Sequence, residues 1–272
     1  MNDLSVFQAF VLGALQGLAE FLPVSSSAHL ALAPWAFGWP EPGLAFDVAL
    51  HVGSLAALLW YFRTEWIALV RAALSIAATR RIETVEQKRV VLLVIATIPG
   101  GIAGLLLEKK AETAFRAPEL TAIALIVMGA VLWIVDARAS RARKIDEYTN
   151  FDAVLVGCAQ AIALIPGVSR SGATITAGRA LGFDRESAAT FSFLMSMPII
   201  AAAAVLKVPK ALAQGGVTLP LAVAVITAAV SSAVAINILL RFVKNRGLGV
   251  FALYRFALGA AVLALVAYRA RH

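Results

Sequence analysis

The chain has 272 residues, of which 61% are hydrophobic and only 15% charged, with a mean hydropathy of +0.84; soluble domains carry about a quarter charged residues, so these values exclude a water-soluble fold and indicate a polytopic membrane protein. The formal charge of +8 does not point to nucleic acid, because the basic residues collect in short connections between apolar runs, where an anionic inner-leaflet surface accounts for them, and no aromatic-interleaved basic face is present. The single Cys158 excludes an internal disulfide, and Met1-Asn2-Asp3-Leu4 lacks the positive n-region of a cleavable signal peptide, so the first apolar run is expected to belong to the mature fold.

Residues 5–19 are apolar and end at Glu20, and 21–37 form a second short run broken by Pro23 and three serines. A helix of about 15 residues spans only about 22 Å, short of a hydrocarbon core of roughly 30 Å. The two runs therefore predict a re-entrant helical hairpin over 5–37, whose non-helical turn must be satisfied by protein or water in a polar cavity. After Trp39-Pro40-Glu41-Pro42-Gly43, spans are expected at about 44–62, 90–107 and 120–136, the second holding Pro99-Gly100-Gly101, which should kink it or let a neighbour pack closely. The connection from Arg63 to Arg89 is the densest basic loop and is assigned to the cytoplasm together with Arg138, Arg141, Arg143 and Lys144. Lys109, Lys110 and Arg116 would then face outside.

From about residue 150 the pattern restarts. Gly13 over Gly157, Gln16 over Gln160, Ala19 over Ala163, Ser25 over Ser169 and Ser27 over Ser171 share one constant spacing, the mark of an internal duplication of residues 1–137 by 150–272. A second hairpin is expected at about 152–183 and spans at about 187–206, 219–240 and 250–268. The fold class read from this is an all-α polytopic membrane protein in one domain, with about six transmembrane helices and two re-entrant hairpins. Three crossings per half invert the second copy, so the hairpins should meet at the midplane as an inverted repeat. Both termini, Lys207 and Lys210 would lie outside and Arg241, Lys244 and Arg246 inside.

Few ionisable residues remain at membrane depth: Glu20, His29, Asp47, His51, Arg170 and Arg255, with Arg179 near the boundary. Such groups are costly there and pair or line a cavity. In Pro166-Gly167-Val168-Ser169-Arg170-Ser171-Gly172-Ala173-Thr174, Arg170 offers a planar fork to phosphate oxygens, Ser169, Ser171 and Thr174 offer hydroxyls, and a helix starting after Gly172 would present free N–H groups. This reads as an anion site. Opposite it, Glu20 would repel phosphate and so either holds a cation or acts as a base, and Ser26 and His29, three apart on one helical face, suit a nucleophile and its proton acceptor. Asp47 and His51 could complete a cation site. Blander readings stand beside these: the serines as caps of a kinked helix, Arg170 or Arg255 as counter-charges to buried acids, Asp47 and His51 as a mutual pair, and Gly100, Gly101 and Gly104 as packing positions.

The stretch from Gln16-Gly17-Leu18-Ala19-Glu20 through Pro23-Val24-Ser25-Ser26-Ser27-Ala28-His29, with the Pro166–Thr174 motif, resembles the bacterial undecaprenyl-diphosphatase family of the bacitracin-resistance type. Phe46-Asp47-Val48, Gly53-Ser54, Phe191-Ser192-Phe193-Leu194 with Pro198, and Tyr254-Arg255-Phe256 extend the resemblance through the chain. It implies hydrolysis of the terminal phosphate of the lipid substrate undecaprenyl diphosphate in the cytoplasmic membrane, with Mg²⁺ or Ca²⁺, at a site opening to the periplasm. Glu20, Ser26, His29 and Arg170 would be catalytic. Ser25, Ser27, Ser169, Ser171, Gly172 and Thr174 would bind the diphosphate with Arg170, and Glu20, Gln16 and Asp47 would hold the metal; a homodimer is compatible with it. Relatives commonly have Glu or Gln where this chain has Gln16, and often Gln where it has His51. The rival reading is a transporter or flippase that uses the same anion site without hydrolysis, since broken helices in inverted repeats also build carriers.

Overall fold

A computed structural model describes residues 4–112 and 117–271. The chain forms eleven α-helices in these residues: α1 (Val6–Phe21), α2 (Ser26–Phe37), α3 (Gly43–Tyr61), α4 (Arg63–Thr79), α5 (Val85–Glu112), α6 (Pro118–Arg138), α7 (Asn150–Ile162), α8 (Arg170–Ala180), α9 (Arg185–Gly215), α10 (Leu219–Asn245) and α11 (Gly249–Arg269). Five of them, α5, α6, α9, α10 and α11, are long and apolar enough to cross a membrane. The crossing expected at 44–62 is α3, whose apolar part Phe46–Tyr61 falls short of that length. The protein is thus an all-α polytopic membrane protein. Lys109, Lys110, Arg116, Lys207 and Lys210, expected outside, lie beyond the described side chains.

The basic connection Arg63–Arg89, expected to be a loop, is mostly helix. Only Phe62, at φ −98° and ψ 27°, interrupts the chain between α3 and α4. Leu69 and Ala72, three apart, are buried, and the Trp66 indole N–H donates to Met197 Sδ on α9. Arg63 and Arg71 stay on the exposed face, which is why a charge count alone mistook an amphipathic helix for a loop.

The short helices α1/α2 and α7/α8 pair at 5–37 and about 152–183, the ranges where hairpins were expected, and their contacts are alike in the two halves of the chain. The first helix of each hairpin packs on a long helix of the other half, α1 on α10 and α7 on α5, while α3 packs on α9 and α6 on α11. Gly13 and Gly157 mark the equivalent close approaches: a Cβ at Gly13 would meet the Ala224 carbonyl of α10, and one at Gly157 the Ala96 carbonyl of α5. Gly100 gives the close contact expected at Pro99-Gly100-Gly101, facing Gln160 of α7. The packed interior between α1 and α9 is set by Phe21, edge-on to Phe193 with ring centroids 5.2 Å apart.

Ion pairs built on Asp136, Arg185 and Asp152, which were not singled out in the sequence, tie the end of the bundle together with Arg179 and Arg143. Buried Asp136 at the end of α6 accepts from Arg179 Nε at 3.0 Å, from Arg185 Nε at 2.7 Å and Nη2 at 2.8 Å, and from the Leu248 N–H at 2.9 Å. Arg179 is therefore a structural partner of an acid. Arg143 grips Asp152 through both guanidinium nitrogens, at 3.1 and 2.6 Å, and donates to Leu181 O at 3.0 Å, fastening the linker between the halves to the second hairpin.

Candidate active site

Both hairpins turn in the same way. Ser25 and Ser169 hold φ of 75° and 73°, a region costly for residues with a Cβ. Each caps the helix that follows: Ser25 Oγ accepts from the Ala28 N–H at 3.4 Å and Ser169 Oγ from the Gly172 N–H at 3.1 Å. Each also lies 3.2 Å from the hydroxyl two residues on, Ser27 and Ser171. The first residues of α2 and α8, Ser26 and Arg170, consequently leave the turns in equivalent positions.

The turns are bonded to each other. The Gly167 N–H donates to Ser25 Oγ at 3.2 Å, and Ser171 Oγ donates to Leu22 O at 3.1 Å. Gly167 has φ 95°, and a Cβ there would strike the Thr121 carbonyl, so only glycine fits. Arg255 of α11, fully buried, spans both turns: its Nη2 donates to Gly167 O at 2.6 Å and Val168 O at 3.0 Å, its Nη1 to Pro23 O at 3.3 Å and its Nε to Leu125 O at 3.1 Å. The acid expected opposite Arg255 is replaced by four carbonyls. A guanidinium, with five donors in a fixed fork, can serve strand-like carbonyls of two turns at once, where a carboxylate could not.

Around this crossing, α1 supplies Gln16 and Glu20, one helical turn apart on one face. Ser26 Oγ donates to Glu20 Oε2 at 2.5 Å, and Gln16 Nε2 donates to the same oxygen at 3.2 Å. Gln16 Nε2 also reaches Ser54 Oγ of α3 at 3.5 Å, which in turn accepts from Ser232 Oγ of α10 at 3.0 Å. His51 Nε2 is 3.4 Å from Glu20 Oε2, while its Nδ1 faces Asp47 O at 2.7 Å. A carbonyl can only accept, so Nδ1 carries a proton, and the contact with Glu20 is attractive when Nε2 is protonated as well. Arg170 Nη1 stands 3.7 Å from Glu20 Oε1, beyond hydrogen-bond distance, and is buried without a hydrogen-bond partner. That unsatisfied charged donor is aimed at a small cavity lined by Glu20, Arg170, Ser171, Ser192 and Ser196.

His29 makes no hydrogen bond to Ser26 in this structure. Its Nδ1 faces Ser25 O at 2.7 Å and its Nε2 faces the Tyr254 hydroxyl at 2.6 Å, so both ring nitrogens are engaged, and the two rings stack with centroids 5.7 Å apart. Glu20 stands where an acceptor was expected. The helix expected after Gly172 begins at Arg170, and the Gly172 N–H is occupied by Ser169. Thr174 Oγ1 donates back to Arg170 O at 2.8 Å and lies 2.6 Å from Ser192 Oγ, while Ser27 is exposed. Ser25, Ser169, Ser171 and Thr174 thus fasten the turns. His51, expected as part of a cation site with Asp47, instead stands against Glu20, and Ser54, Tyr254 and Ser232 entered the cluster without having been assigned a role in it; Gly53-Ser54 and Tyr254-Arg255-Phe256 were visible as motifs, whereas nothing local marks Ser232.

Asp47 lies on α3 with its carbonyl tied to His51. Among the described residues no group of three or more His, Cys, Asp and Glu could hold a metal ion. Gln16 Oε1, however, is buried without a hydrogen-bond partner on the face that carries Glu20. A carboxylate with an unclaimed amide oxygen suits a hard cation whose remaining ligands are phosphate oxygens and water.

Comparison with known proteins gives one consistent result. A family model described as Bacitracin resistance protein BacA matches residues 9–261. A protein of Gemmatimonas aurantiaca called undecaprenyl-diphosphatase is 59% identical, over 98% of this chain and 100% of the relative. Proteins with the same name from Pelotomaculum thermopropionicum and Moorella thermoacetica are each 48% identical, over 98% and 96% of this chain and 98% of each relative.

Proposed function

The chain belongs to the bacitracin resistance protein BacA family, and we propose from this and from its site that it is an undecaprenyl-diphosphatase. It hydrolyses the terminal phosphate of undecaprenyl diphosphate, giving undecaprenyl phosphate and inorganic phosphate and so recycling a lipid carrier. The observation that carries the reading is Glu20, which lies between the hydroxyl of Ser26 at 2.5 Å and Arg170 Nη1 at 3.7 Å, a guanidinium nitrogen without a hydrogen-bond partner. A carrier protein would need the cation but has no use for a hydroxyl hydrogen-bonded to a carboxylate.

Arg170 binds the terminal phosphate and stabilises the charge that develops on its oxygens. The cavity between Arg170 and Glu20 measures about 10 Å³, room for about one water. Entry of the diphosphate must therefore draw Arg170 away from Glu20. Phosphate takes the place of the carboxylate beside the guanidinium, and Glu20 is left to accept a proton. Ser26 Oγ, or a water in its place, attacks the terminal phosphorus as its proton passes to Glu20 Oε2, and the bridging P–O bond breaks with undecaprenyl phosphate leaving. On the serine route one water then cleaves the phosphoserine, releasing inorganic phosphate and restoring the Ser26 hydroxyl. His51 and Gln16 fix the orientation of the carboxylate through their contacts with Oε2. A Mg²⁺ or Ca²⁺ held by Glu20 and Gln16, with Asp47 as a further candidate, would neutralise phosphate charge when bound.

A bacterial cytoplasmic membrane location is part of this proposal, with the mouth of the site on the periplasmic side, the side on which a diphosphate released outside would be met. The test is phosphate release from a long-chain isoprenyl diphosphate by detergent-purified protein, with EDTA treatment and Arg170→Ala as controls. Loss of one charged donor at the transition state should lower turnover about 100- to 1000-fold. Near-parental release by a folded Arg170→Ala protein overturns the assignment.

A further inference from the structure

We propose that the apolar groove between α2 and α11 is the binding site for the isoprenoid tail of the substrate, with the His29–Tyr254 pair closing its head end. The proposal rests on the diphosphatase reading above and adds a second subsite to it. The groove has a volume of about 290 Å³, and His29 is the one ionisable residue in its lining.

Two facing stripes build it. On α2, His29, Leu32, Ala33 and Ala36 follow the i, i+3, i+4, i+7 spacing of one helical face, and one turn further back that face carries Ser26. On α11, Leu258, Ala261, Val262 and Leu265 follow the same spacing, and one turn back stands Tyr254. Both stripes begin at the His29–Tyr254 hydrogen bond. The groove is tied at its far end too: the Arg269 guanidinium lies over the Trp35 ring at 4.6 Å from its centroid and donates to Trp35 O and Ala36 O, each at 3.1 Å.

Proximity to the phosphate site along α2 selects the occupant: Ser26 lies one helical turn before His29, where the groove begins. A chain attached to a phosphate beside Ser26 meets the His29–Tyr254 pair within one turn and then runs along α2; from Ser26 to Ala36 the helix rises about 15 Å. That length takes only the first few isoprene units, and because the far end of the groove, beside Arg269, lies toward the outer surface in the expected topology, the rest of a C55 tail would leave the groove sideways into the bilayer. The pair also gives the motif histidine a position that its two occupied nitrogens explain: it borders the head-group site on one side and hydrocarbon on the other.

The test fills the groove. Ala261 is exposed within it, so Ala261→Trp adds bulk there without entering the core, and Ala260→Trp places the same side chain at the same depth of α11 outside the lining. Phosphate release is measured on undecaprenyl, farnesyl and isopentenyl diphosphates, the last also as a competitive inhibitor where its turnover is slow. Ala261→Trp should lower kcat/KM at least tenfold on the two long-tailed substrates, mainly through KM, and leave isopentenyl diphosphate within twofold; Ala260→Trp should change none of the three. Parental kcat/KM of Ala261→Trp on farnesyl and undecaprenyl diphosphates overturns the proposal and leaves the groove to bulk lipid. An equal loss on isopentenyl diphosphate overturns it as well, because the bulk would then be acting on the phosphate site. Absence of phosphate release by the unsubstituted protein from all three would instead refute the diphosphatase reading. Ala261→Phe carries the same comparison if the tryptophan variant does not fold.

Discussion

Replacing Arg255 by methionine keeps the length and most of the volume of the side chain and removes every donor. Four carbonyls then lose this donor, Leu125 and Pro23 from the first half and Gly167 and Val168 from the second, although Leu125 O, mid-way along α6, keeps its helical bond. Hydrogen bonds to a charged donor contribute about 1.5–3 kcal/mol each, but burying the guanidinium offsets much of the sum. The cost that survives is that of orphaned acceptors in a fully buried position, about 1–3 kcal/mol each before any water enters. With water reaching some of them, about 3–5 kcal/mol is expected for the whole substitution, the range found when one side of a buried ionic network is removed. Because the lost bonds join the two turns, the damage should fall on catalysis as well as on stability. Ser26 and Arg170 would lose their common reference, and a displacement of about 1 Å costs roughly 100-fold in rate. Arg255→Lys, with a single ammonium unable to reach both turns, should recover part of the stability and little of the turnover. The assay pairs unfolding in detergent with kcat and KM on the long-chain diphosphate, taken at a temperature where the variant is folded. An Arg255→Met protein within about 1 kcal/mol of the parent and retaining more than half its kcat would refute the reasoning.

Three further outcomes are expected. Glu20→Gln keeps a hydrogen-bond acceptor for Ser26 but removes the base, so kcat should fall about 100- to 10,000-fold, read as phosphate release; unchanged turnover removes Glu20 from proton transfer. Ser26→Ala distinguishes the two nucleophiles: phosphoserine recovered from the rapidly quenched parent, with an inactive Ser26→Ala, decides for serine, and substantial turnover by Ser26→Ala decides for water. Gly167→Ala forces a Cβ at φ 95° into the Thr121 carbonyl and should destabilise the protein by more than about 2 kcal/mol, seen as a lowered unfolding midpoint in detergent.

The helices were legible because a membrane leaves few alternatives: apolar runs of sufficient length read as spans, and five of the six expected spans are helices long and apolar enough to cross. Charge misled at α4, where arginines on one face hid the apolar face carrying Leu69 and Ala72. In the site, residue types were readable but partnerships were not. Ser26 and His29 share a helical face, and spacing alone makes them a nucleophile and base. Their partners, Glu20 from α1 and Tyr254 from α11, arrive from distant parts of the chain. Likewise the serines of both motifs are of the right type to bind phosphate, yet their hydroxyls cap helices and bridge turns, a use that depends on a second turn lying within 3.2 Å.

The duplication, read from glycines and serines, has a consequence that only the fold displays. At the spacing that pairs Ser25 with Ser169, Ser26 pairs with Arg170, Glu20 with Leu164 and His29 with Ala173. The two residues that would act on one phosphate therefore occupy the same position in two copies of one motif, the first residue of α2 and of α8, and the crossing of the turns brings both to Glu20. Two copies carrying the arginine would place like charges together, and two carrying the serine would leave phosphate without a counter-charge. A single site shared by two equivalent turns thus favours divergence at this position. One copy keeps the hydroxyl, acid and imidazole, the other keeps the cation, and the parts that remain alike, the positive-φ serines, their caps and the cross-bonds, are those that set the geometry.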